Sequence, residues 1–327
     1  VLLVALLALT PLWITLVRHT TEGPPTSTSA PSEGQAPNTS PVTIPEDASS
    51  IQIPTGTGPL PRPGTLKPLS GLPEPGEGSW SPAGRLVGGA PAIYETFIRP
   101  NPLHSSVSVG VAWLDTKMLR ATLYSGSAIP GGGPYTNTTP IPPSAAARLD
   151  AAFNAGLSLQ ATADGYYTDG RTISSLRAGE ASVVINKDGS VAIGAWGSEV
   201  SMSAQVESVR QNLELLVDGG RPEAGLSTVD GSWRSGLGET SNGALVYVGG
   251  PNLTTAGLAG VLVRAGSVRA MELDDGPNFV NFSTFAPDTN GVASPTNGTT
   301  LLPTMESTPA RYFDPTWQRD FFTLSIP

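Results

Sequence analysis

The chain contains no cysteine, which excludes a disulfide framework, a thiol nucleophile and a cysteine-ligated zinc. Histidine is nearly absent: His19 and His104 are the two in 327 residues. That supply does not fit a Ser-His-Asp triad or a histidine-rich metal site, and His104, alone before an expected strand, reads as a surface or satisfied loop residue. Charge is sparse too, at 14% of residues, with lysine scarce and a formal net charge of −9. No basic patch offers itself to nucleic acid or anionic lipid, so nucleic acid is not an expected partner. Most cations are arginines, whose planar fork suits a bidentate grip on carboxylate or phosphate.

What is present divides the chain in three. Residues 1–17, "VLLVALLALTPLWITLV", carry no charge and run into Arg18 and His19. They read as a membrane anchor, because a few further apolar residues complete the roughly 20 that a spanning helix needs. The alternative is a signal segment that is cleaved and leaves a secreted protein. Residues 18–85 are rich in Pro, Ser, Thr and Gly without an apolar period, the composition of a disordered linker that holds the next domain off the membrane. Residues 86–327 have the composition of one globular domain, which an anchor at 1–17 would place outside the cytoplasm.

Within that domain, "SSVSVGVAWLDTKMLRATLYSG" (Ser105 to Gly126) alternates around Asp115-Thr116-Lys117 and reads as a hairpin. "PPSAAARLDAAFNAG" has a Ser144 cap, good helix formers and a stop at Gly156, which predicts a helix. A hairpin around Lys187-Asp188-Gly189, a helix over "SAQVESVRQNLELLV" and an end at Asp218 make one unit. A hairpin around Asn242-Gly243, a helix over "LTTAGLAGVLVRAG" and the strand "SVRAMELDDG" make another. From turn glycine to acid the units span 29 and 31 residues (Gly189 to Asp218, Gly243 to Asp274). The expected class is α+β: a mixed, largely antiparallel sheet core with packed helices, built from two related hairpin-helix-strand units that bring Asp218 and Asp274 to equivalent strand ends.

Three stretches can carry chemistry. "NAGLSLQATADGYYTDGR" (Asn154 to Arg171) offers amides, acids, two tyrosines and an arginine in a glycine-bearing loop, as a sugar site requires; equally it is a turn with Tyr166 and Tyr167 packed inward. In "WRSGLG", Arg234 and Ser235 can bind phosphate or carboxylate, or Arg234 can be an exposed strand-start cation. "AMELDDG" sets Glu272, Asp274 and Asp275 at a strand end, where carboxylates can serve as acid and base, hold a hard cation, or shape a turn. Glu272 and Asp274 share a strand face, and Asp275 points away.

Taken in order, "NAG" (Asn154 to Gly156), "YYTDGR" (Tyr166 to Arg171), "LLVDGG" (Leu215 to Gly220), "RSGLG" (Arg234 to Gly238), "NGALVYV" (Asn242 to Val248) and "AMELDDG" (Ala270 to Gly276) resemble the phosphodiester glycosidase domain family, over roughly Ser105 to the C-terminus. The resemblance implies a hydrolase that removes an N-acetylglucosamine-like sugar from a sugar 1-phosphodiester in an envelope glycopolymer or glycoconjugate, and the expected anchor at 1–17 would tether it to a membrane. It implies that Asp274, Asp218 and Arg234 are catalytic and that Asn154 and Gly219 bind substrate; the residue reading adds Glu272, on the strand face of Asp274, to the catalytic set, and Gly156, Tyr167, Asp169, Arg171 and Ser235 to the binding set. Arg234 or Arg171 would hold the phosphate, and Asp274 with Glu272 would hold a divalent cation such as calcium if one is used. Two stretches depart from the family pattern: Ala155-Gly156-Leu157 replaces a glycine pair and an aromatic, and Asp275-Gly276-Pro277-Asn278 replaces a glycine-rich, serine-containing turn. A Cβ in place of glycine blocks close backbone approach. These departures keep open a non-catalytic protein that binds a glycan or anionic polymer in the same cleft.

Overall fold

The computed structural model describes residues 58–69, 72–100, 106–286 and 291–327. The expected anchor at 1–17, the expected linker up to residue 57, and both histidines lie outside the described residues. Among the described residues no helix is long and apolar enough to cross a membrane.

Strands are the commonest regular structure among the described residues. In chain order they are β1 (Ser81–Val87), β2 (Ala90–Ile98), β3 (Val109–Leu114), β4 (Arg120–Tyr124), β5 (Leu149–Asn154) and β6 (Tyr166–Thr168). There follow β7 (Arg171–Ser174), β8 (Ala181–Asn186), β9 (Val191–Ala195), β10 (Val206–Gln211), β11 (Leu215–Asp218) and β12 (Arg221–Pro222). The last are β13 (Ser232–Thr240), β14 (Leu245–Leu253), β15 (Ser267–Asp275), β16 (Phe282–Phe285), β17 (Gly298–Thr300) and β18 (Phe321–Ser325). Two helices, α1 (Pro143–Ala146) and α2 (Leu159–Thr162), are single turns, and α3 (Thr255–Arg264) has ten residues.

The strands form three sheets. One has eight strands in the order β1-β2-β3-β14-β13-β15-β11-β12; the second is β7-β6-β10-β8-β9, and the third β17-β16-β5-β18-β4. Every pairing between these strands is antiparallel. The large sheet is buried on both faces, and its sequence alternates accordingly. Leu245 and Tyr247 of β14, with Ala112 and Leu114 of β3, enter a core shared with Phe153, Val183, Phe282 and Phe322 of the smaller sheets. Val246, Val248, Val111 and Trp113 enter a second core under α3, where Leu258, Val261 and Leu262 pack. The Thr254 hydroxyl caps α3 by accepting from the Gly257 N–H at 2.9 Å. Gly236 of β13 lets the helix approach, since a Cβ there would lie 2.9 Å from the Met271 carbonyl and 3.0 Å from Leu262.

These observations correct the expected α+β class. Strand makes up 41% of the described residues and helix 9%, so the fold is mainly β. The helix expected through Asn154 ends at Ala146, and Leu149–Asn154 is instead β5, the centre of a sheet between β16 and β18. The helix expected over "SAQVESVRQNLELLV" is β10 and β11, which removes the second copy of a hairpin-helix-strand unit. The Ser105–Gly126 hairpin is also corrected: β3 joins the large sheet, whereas β4 pairs with β18 of another. The hairpins β8–β9 and β13–β14, helix α3 and strand β15 stand where the sequence puts them.

The body also begins before residue 86. Leu60, Leu66 and Trp80, from the expected linker, are buried in the core under α3. Asp115 accepts the Leu60 N–H at 2.7 Å, and Trp80 donates to the Gly64 carbonyl at 2.8 Å.

Candidate functional site

The site is built where β13, β15 and β11 of the large sheet face the β7-β6-β10-β8-β9 sheet. A cavity of about 830 Å³ lies there, within the range of roughly 300–1,000 Å³ common for small-molecule sites. Asp164, Glu180 and Glu199 line it from the segments beside β6, β8 and β9, Asp218 and Glu272 from β11 and β15, and Glu214 and Glu223 from the segments beside β11 and β12. Arg177 is the cation in the lining.

Glu272 lines this cavity and is paired with Arg234. β13 and β15 are paired with Gly236 opposite Glu272, which brings the two motif side chains together. Arg234 Nη1 lies 2.5 Å from Glu272 Oε1, and its Nε donates to the Leu253 carbonyl at 3.1 Å. Glu272 is almost fully buried, whereas the Arg234 side chain keeps 19% exposure. Burial pushes the Glu272 carboxyl up, with the Arg234 charge and hydrogen bond working against it.

Asp274 faces another partner. Its Oδ2 accepts from Arg319 Nη2 at 2.6 Å and its Oδ1 from the Asp275 N–H at 2.9 Å. Arg319 also donates to the Gly156 carbonyl at 2.8 Å and lies over the Phe279 ring. Burial pushes the Asp274 carboxyl up to about 7 against the pull of Arg319. Asp218, half exposed, sits beside Arg269 at 3.8 Å. Because β11 and β15 run antiparallel with Val217 opposite Ala270, Asp218 and Asp274 lie about five residues apart along the sheet, roughly 16 Å. They are not equivalent strand ends; Asp218 shares the cavity wall with Glu272 instead.

Asn154 and Ser235 meet inside the protein. Asn154 donates to Ser235 Oγ at 2.9 Å, while its Oδ1 accepts from the Tyr247 hydroxyl at 2.9 Å and the Asn281 N–H at 3.1 Å. The Ser235 hydroxyl donates to the Asp274 carbonyl at 3.0 Å and accepts the Asp274 N–H at 3.2 Å. With Asn154 at 4% exposure and Ser235 at 0%, both hold β5, β13, β14 and β15 in register and leave no side-chain donor for a ligand. Gly156 is explained by packing: a Cβ there would meet the Arg210 guanidinium at 2.6 Å. Gly219, at φ +53, is a turn residue with open space around it.

The "YYTDGR" residues lie apart from the cavity lining. Tyr167 packs against Val184, Val206 and Val209. The turn residue Asp169 accepts the Thr136 N–H at 2.9 Å, and Arg171 donates to the Pro134 carbonyl at 2.9 Å while covering the Tyr135 ring. Together they fasten the β6–β7 hairpin to the preceding loop. Among the described residues no group of three or more His, Asp or Glu side chains is placed to hold a metal ion; Glu272 and Asp274 each face an arginine.

Sequence reasoning missed Arg210, Asn212 and Arg319. Arg319 and Asp320, adjacent in the chain, do not pair with each other: Arg319 reaches Asp274 at 2.6 Å and Asp320 reaches Arg210 at 2.7 Å. Asn212 donates to the Glu272 and Leu273 carbonyls at 2.8 and 2.9 Å, and accepts the Leu157 N–H at 3.0 Å. The adjacent polar run "RQN" was the available signal: three large polar residues at the end of a strand, all buried.

Burial gives the protein an unusual acid response. The carboxyls of Glu95, Asp150, Glu239 and Asp274 are each pushed up to about 7 by desolvation, against about 4 in an unfolded chain. Between those values the folded state holds protons that the unfolded state has lost, so unfolding free energy falls as pH rises through the window. The melting temperature is therefore expected to be higher at pH 5 than at pH 8. Glu239→Gln, whose amide oxygen can still accept the Ile193 N–H, flattens the profile. A melting temperature that climbs from pH 5 to pH 8 contradicts the assignment.

No family model matches the chain, and no curated protein matches it. Among solved structures it is similar to the zebrafish N-acetylglucosamine-1-phosphodiester alpha-N-acetylglucosaminidase catalytic domain, auto-inhibited by its pro-peptide. Identity is 15% and the TM-score 0.46, over 76% of this chain and 88% of that one. A hypothetical protein from Synechocystis is similar at 12% identity and a TM-score of 0.37, over 76% of this chain and 64% of that one. Both likenesses are weak, and neither shows a family for this chain.

Proposed function

We propose that the protein is a hydrolase that releases a sugar from a sugar 1-phosphodiester, with the sugar in the cavity between the two sheets and the phosphate against Arg234. The Arg234–Glu272 pair carries this reading. Glu272 lines the cavity, Arg234 is paired with it and is part-exposed, and both belong to stretches that carry the motif resemblance. Hydrolysis adds water at the anomeric carbon and breaks the bond from that carbon to the phosphate oxygen, giving free sugar and a phosphate monoester. The leaving group is a stable anion, so protonating it matters little. The demand is to hold the phosphate, which Arg234 can do, and to stabilise the positive charge that grows on the sugar, which the Glu272 carboxylate can do. Asn154, Ser235 and Asn212 hold the strand that presents Glu272.

The test is release of reducing sugar by the purified protein from aryl phosphodiesters of several sugar 1-phosphates, with release expected from at least one. Binding of glycan polymers with no release from any of them overturns the reading in favour of a non-catalytic glycan-binding protein.

A further inference from the structure

We infer that the sugar taken by this cavity carries a free primary ammonium group, as an unacetylated amino sugar does; the inference rests on the sugar-phosphodiester reading. It comes from two acids which that reading leaves without a task, Asp164 and Glu180. Both line the cavity.

The other charges are largely answered within the protein. Arg269 lies 2.6 Å from Glu199 and 3.8 Å from Asp218, Arg234 takes Glu272, and Arg177 reaches Glu180 Oε1 at 3.2 Å. Glu214 and Glu223 are exposed to water. Asp164, at 2% exposure, has an Oδ2 with no hydrogen-bond partner, and Glu180 Oε2 is likewise buried without one. Arg210 is near enough for its charge to act on Asp164, but its donors go to Asp320 and to the Gln211 and Leu157 carbonyls. A buried carboxylate oxygen without a donor is costly, and a ligand that brings a charged donor removes that cost.

The lining selects among cations. A quaternary ammonium has no N–H and relies on aromatic faces, and the cavity lining contains no aromatic residue. A hard divalent ion needs about six or more oxygen ligands, and no three acids are grouped for one among the described residues. A primary ammonium supplies three donors that two unpartnered carboxylate oxygens can share. An N-acetyl group instead brings one neutral N–H and a carbonyl oxygen that carboxylates repel.

The experiment measures binding of D-glucosamine, N-acetyl-D-glucosamine and D-glucose to the full protein by calorimetry at pH 6, where the amine is protonated. Glucosamine is expected to bind about ten-fold tighter than either neutral sugar, as a charged hydrogen bond in place of a neutral contact implies. Asp164→Asn removes the preference without lowering the melting temperature, because it deletes a buried charge that has no hydrogen bond at Oδ2. If that variant fails to fold, Glu180→Gln, at a part-exposed position, is expected to reduce the preference. Equal binding of the three sugars, or tighter binding of the N-acetyl sugar, overturns the inference. Turnover of phosphodiesters with an N-acetyl preference overturns it and leaves the hydrolase standing; an ammonium preference without any turnover does the reverse.

Discussion

Glu272→Gln is expected to slow sugar release by at least about a hundred-fold, the scale of losing one charged group that stabilises a transition state. The substitution is nearly isosteric. Its amide oxygen can still accept from Arg234 Nη1, which now sits 2.5 Å from Glu272 Oε1, so the strand position and the fold are kept. What is lost is the negative charge that faces the cavity, and the loss should fall on kcat more than on KM, because positive charge on the sugar develops only as the bond breaks. Asp274→Asn is the informative comparison. Its carboxylate faces Arg319 and is not part of the cavity lining, so a smaller drop is expected. Full activity in Glu272→Gln, or a larger loss in Asp274→Asn, would move the chemistry to the Arg319 side of β15.

Arg210→Ala is expected to cost the fold about 3–5 kcal/mol, as breaking one side of a buried ion pair does. The side chain is 1% exposed and spends its donors on Asp320 and on the Gln211 and Leu157 carbonyls. Truncation leaves Asp320, itself 1% exposed, without its counter-charge and two carbonyls without their donor. In a domain of this size the melting temperature should fall by about 10 °C or more. Arg210→Lys is not expected to restore it, because a point ammonium on a flexible stem cannot reproduce the planar fork that meets all three partners. A fall of only a few degrees in thermal unfolding of Arg210→Ala would show that β10 and the C-terminal segment do not depend on this pair.

What was legible in the sequence and what was not follow from the range of the interactions. The β13–β14 hairpin has an Asn242-Gly243 turn, and α3 has a threonine cap and a glycine stop; both are decided by residues within a few positions. Leu149–Asn154 was misread because alanines favour helix in isolation. Here Ala151 and Ala152 are fully buried in a strand between β16 and β18, and that tertiary setting outweighs intrinsic propensity. The segment over β10 was misread for a related reason. Arg210, Gln211 and Asn212 are polar residues that local sequence places in water, and their partners, such as Asp320, are too far along the chain to be recognised. For the site, the pairing of β13 with β15 joins Arg234 to Glu272, and because β14 and α3 separate these strands in the chain, motif order does not show it. The placing of Asp274 on Arg319 and of Asp164 on the cavity wall depends on the packing of separate sheets, which no local pattern encodes.

The most direct test of the central claim is hydrolysis of an aryl phosphodiester of a sugar 1-phosphate by the purified protein in oxygen-18 water, with the products weighed by mass spectrometry. Cleavage between the anomeric carbon and oxygen, as the Glu272 and Arg234 arrangement predicts, puts the label on the sugar and leaves the aryl phosphate unlabelled. Label in the phosphate would mean attack at phosphorus, and the protein would then be a phosphodiesterase and not a glycosidase.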